Sequence, residues 1–480
     1  MLESRAYRSD PDVPRAWLIG LAVAFIAAHA VLAVLDFNRP EVFLRADRSA
    51  VRMSQIHTLL AMHSWPEARD YLGSHGILGD YAVHAILYGI GGKPFLILFQ
   101  ILLLLASGAG VIGLARLLGL APRSQAVALG VYLLLPHSLV LPHQLATEAL
   151  QVPLLVISTW LFCLSIRDED LWLLLGSALL LALATLIRPI TLAWPLVVFM
   201  IAVLCGRKGF GALFLALFGA PVLLWMSFVW ETTGAFGLGE SSHSLGHNLY
   251  LRVAEVAASM PEPQARELVA QHLTQGAYGR MGIAEYLRVT LQYPGPFAAA
   301  VARDAAVFWG KSGIERLTVD YAGSEAEFVA LTNRDIGWRK HLDTGSSIAT
   351  LRYVWRLTGP VLLISFMASA LLITLVALAV YGAAELIRAL HGRLIEGASR
   401  IAAAVLILLP IYIFTCSLVV MSIRSGHRAP AEFALVILAV YGWRRWRTRR
   451  AVPGSVSSGN GETRAVGQSS SAPQSAISAA

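Results

Sequence analysis

Charge is scarce in this 480-residue chain: Asp, Glu, Lys and Arg make up 14% of it, against 56% hydrophobic residues. A polar fraction that small excludes a soluble globular protein of this length, whose surface would have to be covered by more charge. Cysteine is scarcer still. Cys163, Cys205 and Cys416 each fall in an apolar stretch, so they supply neither a disulfide framework nor a clustered metal site. There is no Walker A lysine motif and no GxGxxG ahead of a helix, which argues against nucleotide chemistry on the cytoplasmic side. The first apolar stretch starts late and runs into charged sequence without a small-residue cleavage site, so it reads as a retained helix rather than a signal peptide.

What the chain has in abundance is long apolar segments. A bilayer core of about 30 Å needs about 20 apolar residues per helix, and roughly ten segments meet or approach this: 16–35, 94–115, 124–141, 143–165, 170–186, 190–205, 210–230, 357–385, 400–422 and 430–443. The fold class expected is therefore all-α, a polytopic transmembrane bundle. Pro136, Pro142, Pro189 and Pro195 blur the boundaries in the middle of the series. Four parts follow: a transmembrane module 1–230 with a first external loop 36–93, an external subdomain 231–356, C-terminal helices 357–446, and a tail 447–480. From 451 onward, Gly, Ser, Ala and Gln replace large apolar residues, which predicts disorder.

Basic residues orient the bundle. With Arg5, Arg8 and Arg15 inside, the connections carrying Arg116 and Arg123, Arg167, Arg207 and Lys208, Arg388 to Arg400, and Arg444 to Arg450 also fall inside. The net charge of +8 is thus an orientation signal, not a nucleic-acid footprint, because the basic residues sit at helix ends rather than on one soluble face. This arrangement predicts a multi-pass protein of the bacterial cytoplasmic membrane with its chemistry on the external side.

The chemistry-bearing residues concentrate in the external segments. After Asp47, the stretch RSAVRMSQIHTLLAM places Met53, Ile56 and Leu60 at helical spacing, which suggests an amphipathic helix in the interface plane. Asp47 suits an N-cap of that helix and, equally, a general base, since a carboxylate held by backbone donors keeps a fixed orientation. Asp36, at the end of the first helix, is the rival base, and Asp80 is a third acid on the same side. Arg188, Arg424 and Arg428 run against the positive-inside pattern. Snorkelling to headgroups accounts for such arginines singly, whereas three of them on one membrane face suit a grip on phosphate or pyrophosphate. Glu148 is costly in lipid and should face a cavity or pair with one of these cations. His243 and His247 have a four-residue spacing, but no third ligand follows at a diagnostic distance.

In order, the motifs RADRSAVRMSQI, GDYAVHAILYGIGG, LPHQLATEAL, LIRPITLAWP, SLGHNLYL and RSGHRAPAEFALVILA resemble the GT-C superfamily of integral-membrane glycosyltransferases. The likeness is to the bacterial branch similar to protein O-mannosyltransferases and lipid A aminoarabinose transferases, and it spans about residues 16–446. It implies transfer of a sugar from a polyprenyl-phosphate carrier to a hydroxyl on a glycan, lipid or protein acceptor. By that likeness Asp47 or Asp36 is the base, and Arg188, Arg424, Arg428 and His427, with Glu148 and Asp80, surround the donor. No cofactor is implied, although a divalent metal is compatible; the partners are the lipid-linked donor, the acceptor and membrane lipids. The chain has ADRSAV where many relatives carry an acidic pair or an Asp followed by Tyr. A polysaccharide polymerase or ligase using a pyrophosphate-linked donor, and a lipid or solute transporter, are the competing readings.

Overall fold

The computed structural model describes residues 15–38, 43–44, 49–75, 78–234, 236–238, 249–254, 256–257, 259–272, 282–310, 347–392, 394–395, 397–420 and 428–450. Among these residues the secondary structure is helical throughout. Six helices are long and apolar enough to cross a membrane: α1 (Arg15–Asn38), α4 (Leu78–Leu117), α7 (Thr147–Asp168), α10 (Lys208–Thr233), α14 (Ser347–His391) and α15 (Gly397–Val420). A seventh crossing arises if α5 (Pro122–Leu134) and the segment from α6 (Pro136–Val140) to His143 form one span bent by 58°. The chain is a multi-pass membrane protein. Against the ten segments expected, α8 (Leu171–Ile187) and α9 (Trp194–Leu204) have only 17 and 11 residues, because Arg188 and Pro189 interrupt the run between them. The last helix, α16 (Ala429–Arg450), carries Glu432 and a run of arginines within its length.

Large apolar side chains on the outer surface identify the lipid-facing sides. Ile19, Val23, Val31 and Val34 of α1, Leu223 and Leu224 of α10, and Phe366, Leu371 and Val380 of α14 are all more than half exposed. A belt of that kind is tolerable only against hydrocarbon. By contrast α16 is an internal axis. Every side chain from Arg428 to Gly442 is buried, as expected of a helix that is apolar on all faces.

Close helix approach depends on small residues. A Cβ on Gly382 of α14 would lie 2.0 Å from the Leu438 carbonyl oxygen, and one on Gly442 of α16 would lie 2.3 Å from the Leu378 carbonyl oxygen. The two backbones therefore touch, the packing mode that small residues permit between membrane helices. Within α4 the helix breaks at Gly91 and Gly92, where Gly92 has φ of 64°, a left-handed conformation that favours glycine. The break separates a first segment, which lies inside the expected external loop and carries Asp80, from the apolar run that follows.

In the segment expected to form the first external loop, α2 (Ser49–Ala61) buries Ile56 completely among Leu87, Leu96 and Leu150; α3 (Trp65–His75) follows it. In the second, α11 (Glu262–His272), α12 (Ile283–Gln292) and α13 (Pro294–Gly310) share a separate small core of Leu249, Val253, Leu268, Tyr286 and Val289. That core contains a buried Arg252–Asp304 ion pair. Phe308 and Trp309 at the end of α13 pack on Phe414 of α15, with ring centroids 5.1 and 5.2 Å away. Of the expected tail 447–480, residues 447–450 belong to α16, while 451–480, like His243 and His247, lie outside the described residues.

Replacing Gly382 by Ala should destabilise the protein by about 1–3 kcal/mol, because the added methyl must push the helices apart. Gly219→Ala, with nothing within 4 Å of the new Cβ, should leave stability unchanged. Thermal unfolding in detergent micelles reads both, and equal midpoints for the two variants would show that α14 and α16 do not touch at this point.

Candidate functional site

The polar interior is organised by an interrupted span. Leu135 precedes Pro136 and is pushed out of helical geometry to ψ of 144°, ending α5. Pro136 then opens the one-turn α6, a 3-10 turn covers Leu141–His143, and Gln144 and Ala146 are extended before α7 begins at Thr147. Backbone and side chains along this stretch meet four acid clusters from distant parts of the chain.

His143 Nδ1 lies 2.5 Å from Asp36 Oδ2 at the end of α1, and its Nε2 lies 2.8 Å from His29 Nδ1, about two turns back along that helix. All three side chains are buried, and the two imidazoles are stacked. Two residues further on, the Leu145 carbonyl accepts from Arg52 Nη1 at 3.3 Å, while Arg52 Nε donates to Asp80 Oδ2 at 2.7 Å. Burial works against the Arg52 charge, but the Asp80 carboxylate beside it prevails and holds the guanidinium above its ordinary range. His84 Nδ1 lies 3.0 Å from the other Asp80 oxygen. Leu145 N also donates to the Phe43 carbonyl at 3.0 Å, tying the first external loop to the same stretch.

The other two clusters flank a cleft. Glu148, in the first turn of α7, forms an ion pair with Arg188, the residue that caps α8. On the opposite wall Glu432 of α16 is held by two groups: Arg428 Nε donates to its Oε1 at 3.1 Å, and His137 Nδ1 lies 2.8 Å from the same oxygen. Arg428 Nη1 in turn donates to the Phe308 carbonyl of α13, so the external helices close on the same point. The cleft between them is small, with a free volume of about 20 Å³, and its polar lining is Tyr132, His137, Ser138, Glu148 and Glu432. Leu104, Pro142, Val152 and Pro153 supply apolar wall. Asp36, Asp80, Arg188 and Arg428 do not line it; the two arginines lie behind the glutamates they pair with.

These clusters sit at one end of the bundle. α7 and α16 both start at the cleft and run away from it, and their far ends carry the basic turns. There Arg444 Nη1 donates to the Gly119 carbonyl between α4 and α5 at 2.9 Å, and Arg207 Nη1 donates to Glu169 between α7 and α8 at 2.7 Å. The short-loop cations thus gather on the face opposite the buried acids.

Of the residues expected from sequence, Glu148 and Arg188 pair with each other, Arg428 lies across the same cleft, and Asp36 and Asp80 meet the same interrupted span from other sides. Asp47, Arg424 and His427 lie outside the described residues. Sequence reasoning assigned no role to Glu432, His137, His143 or His29. Glu432 had a signal: a carboxylate four residues after Arg428 in an otherwise apolar run, where an unpaired charge is expensive. Among the described residues, no group of three His, Cys, Asp or Glu side chains is arranged to hold a metal ion.

No family model, curated protein or solved structure matches the chain. The reading of the site therefore rests on its own geometry.

Replacing Glu432 by Ala strips the carboxylate from Arg428, whose side chain is only 1% exposed. The expected loss is about 3–5 kcal/mol, since a buried charge is left uncompensated. The double variant Glu432→Ala with Arg428→Met should recover part of it. Denaturation in detergent measures both; a single variant as stable as the parent would show that the pair contributes nothing.

Proposed function

We propose that the protein is a membrane glycosyltransferase that moves a sugar from a polyprenyl-phosphate carrier to a hydroxyl of a glycan, lipid or protein acceptor, at the external face of the cytoplasmic membrane. The observation that supports this most is the meeting of acids and arginines from α1, α7, α8 and α16 around one interrupted span, at the end opposite the basic turns. A lipid-linked phosphate would enter from the bilayer and meet guanidinium groups there. An arginine has five donors in a planar fork, so Arg188 can hold a phosphate oxygen while keeping contact with Glu148, with Arg428 adding charge from behind Glu432. In this reading α8, α9 and α16 also cross the membrane, giving ten helices with the bent pair counted as one, and α2 lies in the interface plane.

The reaction needs positioning and charge placement more than covalent chemistry. A carboxylate, Asp47 or Asp36, takes the proton of the acceptor hydroxyl. The acceptor oxygen then attacks the anomeric carbon, the bond from that carbon to the phosphate oxygen breaks, and the phosphate leaves with the electron pair, inverting the centre. Arg188 and Arg428 stabilise the charge that develops on the departing phosphate. The imidazole of His143 orients one oxygen of Asp36. Glu148 and Glu432 are placed to accept hydrogen bonds from sugar hydroxyls in the cleft.

One observation favours a second reading. The 58° bend between α5 and α6 is a broken span beside buried carboxylates, a device that transporters use around a midplane site. A transporter would move a solute without breaking a bond, so product analysis separates the two.

Membranes carrying the chain, supplied with polyprenyl-phosphate-linked glucose, mannose, arabinose and aminoarabinose in turn, should release free polyprenyl phosphate from one of them. Loss of the base should cost about 10²- to 10⁴-fold in rate, so either Asp36→Asn or Asp47→Asn should fall by that factor. Release at the parental rate by both variants would remove the proposed base, and absence of release from all four donors alongside solute uptake would favour the transporter.

A further inference from the structure

We propose that the arginine-rich ends of α14 and α16, on the face opposite the cleft, form a binding surface for the phosphodiester headgroups of anionic lipids in the adjoining leaflet. This inference does not depend on sugar transfer.

The density of charge there exceeds what orientation requires. The two helix ends, Glu385–His391 and Trp443–Arg450, contain six arginines and one glutamate. Close contact at Gly382 and Gly442, one turn or less before these ends, brings the two helix ends side by side. Glu385 holds the patch together: its two oxygens pair separately with Arg388 of α14 and Arg449 of α16, the latter at 2.9 Å. One carboxylate is shared between two guanidinium groups that are 62% and 61% exposed, leaving a net positive charge facing outward.

The remaining arginines are presented in a set geometry. Arg444 is anchored inward on the Gly119 carbonyl. Arg445 lies over the Tyr441 ring, 5.5 Å from its centroid, with Nε 3.2 Å from the Tyr441 hydroxyl. Arg447, one turn beyond Trp443, is exposed, and among the described residues it has no ion-pair partner. Trp443 and Trp446 stack with centroids 5.0 Å apart, and Trp443 is 48% exposed. Paired tryptophans at a helix end mark the headgroup level of a bilayer. Guanidinium groups held at that level match phosphate oxygens in charge and in planar fork geometry. A soluble protein partner would have to share this surface with the headgroups.

The test uses the full-length chain, purified and delipidated, in native mass spectrometry with phosphatidylglycerol and phosphatidylcholine of identical acyl chains. The parent should retain phosphatidylglycerol preferentially, and R445Q/R447Q, which leaves the Glu385 pairs intact, should weaken that preference by about 30-fold, from about 1 kcal/mol per arginine. R266Q/R303Q removes two arginines from the external helices and should leave the preference unchanged; both variants are first checked for parental thermal midpoints. Equal binding of the two lipids by the parent would overturn the proposal. So would full preference in a folded R445Q/R447Q, an equal drop in R266Q/R303Q, or displacement of the lipid by inorganic phosphate at low millimolar concentration, which would mark a soluble-anion site. If R445Q/R447Q fails the thermal check, Arg447→Gln alone takes its place and should lower the preference about fivefold; full preference there equally overturns the assignment.

Discussion

A charge inside a membrane bundle persists only where an opposite charge or a dense set of hydrogen bonds meets it, and here those meetings converge on the interrupted span between Leu135 and Thr147. A continuous helix across this region would carry its own backbone bonds internally and point its side chains around all faces. The break at Pro136 and the extended residues Gln144 and Ala146 instead free backbone groups and send His137 and His143 to different neighbours. His137 reaches α16, 295 residues away in sequence, and His143 reaches α1, 107 residues back. The Leu145 carbonyl takes a donor from Arg52. Glu148, just past the break, reaches the end of α8. Irregular backbone at this depth is tolerable because protein, not lipid, surrounds it: Leu141, Pro142, His143, Gln144 and Leu145 are all buried.

The same constraint joins packing to site geometry. α16 places Arg428 and Glu432 at the cleft because the rest of the helix is locked as the bundle axis, with Gly442 against α14 near its far end. α13 reaches the cleft through aromatic contacts with α15 and through the Phe308 carbonyl, which accepts from Arg428. The external helices are thus coupled to the buried Arg428–Glu432 pair, and movement of α13 away from α15 would cost that guanidinium one of its acceptors. A ligand that draws on Arg428 and a displacement of the external helices are therefore linked through one side chain.

The all-helical, multi-pass class was legible in the sequence, because it depends on composition and apolar length, both local properties. Glu148 was legible as a residue that needs a cation, and Arg188 as a cation that needs a partner, since each is costly in its own segment. Their mutual pairing was not: residues 40 positions apart carry no sign of which neighbour they will meet. Asp36 was legible as an acid at a helix end, but the imidazole pair behind it was not, because His29 sits in an apolar run with no periodic cue. α16 defeats pattern reading for a related reason. A helix buried on every side has no apolar stripe, so hydrophobic spacing reveals neither its face nor its central position. The segment ahead of Gly91, expected as part of the loop 36–93, is helical, and the chain kinks at Gly91 and Gly92 rather than ending its helix there.

The closed pairing of the cleft also restricts what can bind it. Arg188 and Arg428 are each engaged with a glutamate, so a neutral ligand gains little from them beyond hydrogen bonds at the margins. A phosphate can take up remaining donors of the fork or displace a carboxylate oxygen, and a displaced carboxylate needs a new donor. Sugar hydroxyls supply such donors. A ligand carrying a phosphate beside hydroxyl groups would satisfy both halves of each opened pair, whereas an inorganic anion or a neutral sugar would satisfy one and leave the other buried without a partner, at a cost of about 1–3 kcal/mol or more for a charged group. In the proposed reading, this pairing is the property that would favour a glycosyl phosphate over either fragment.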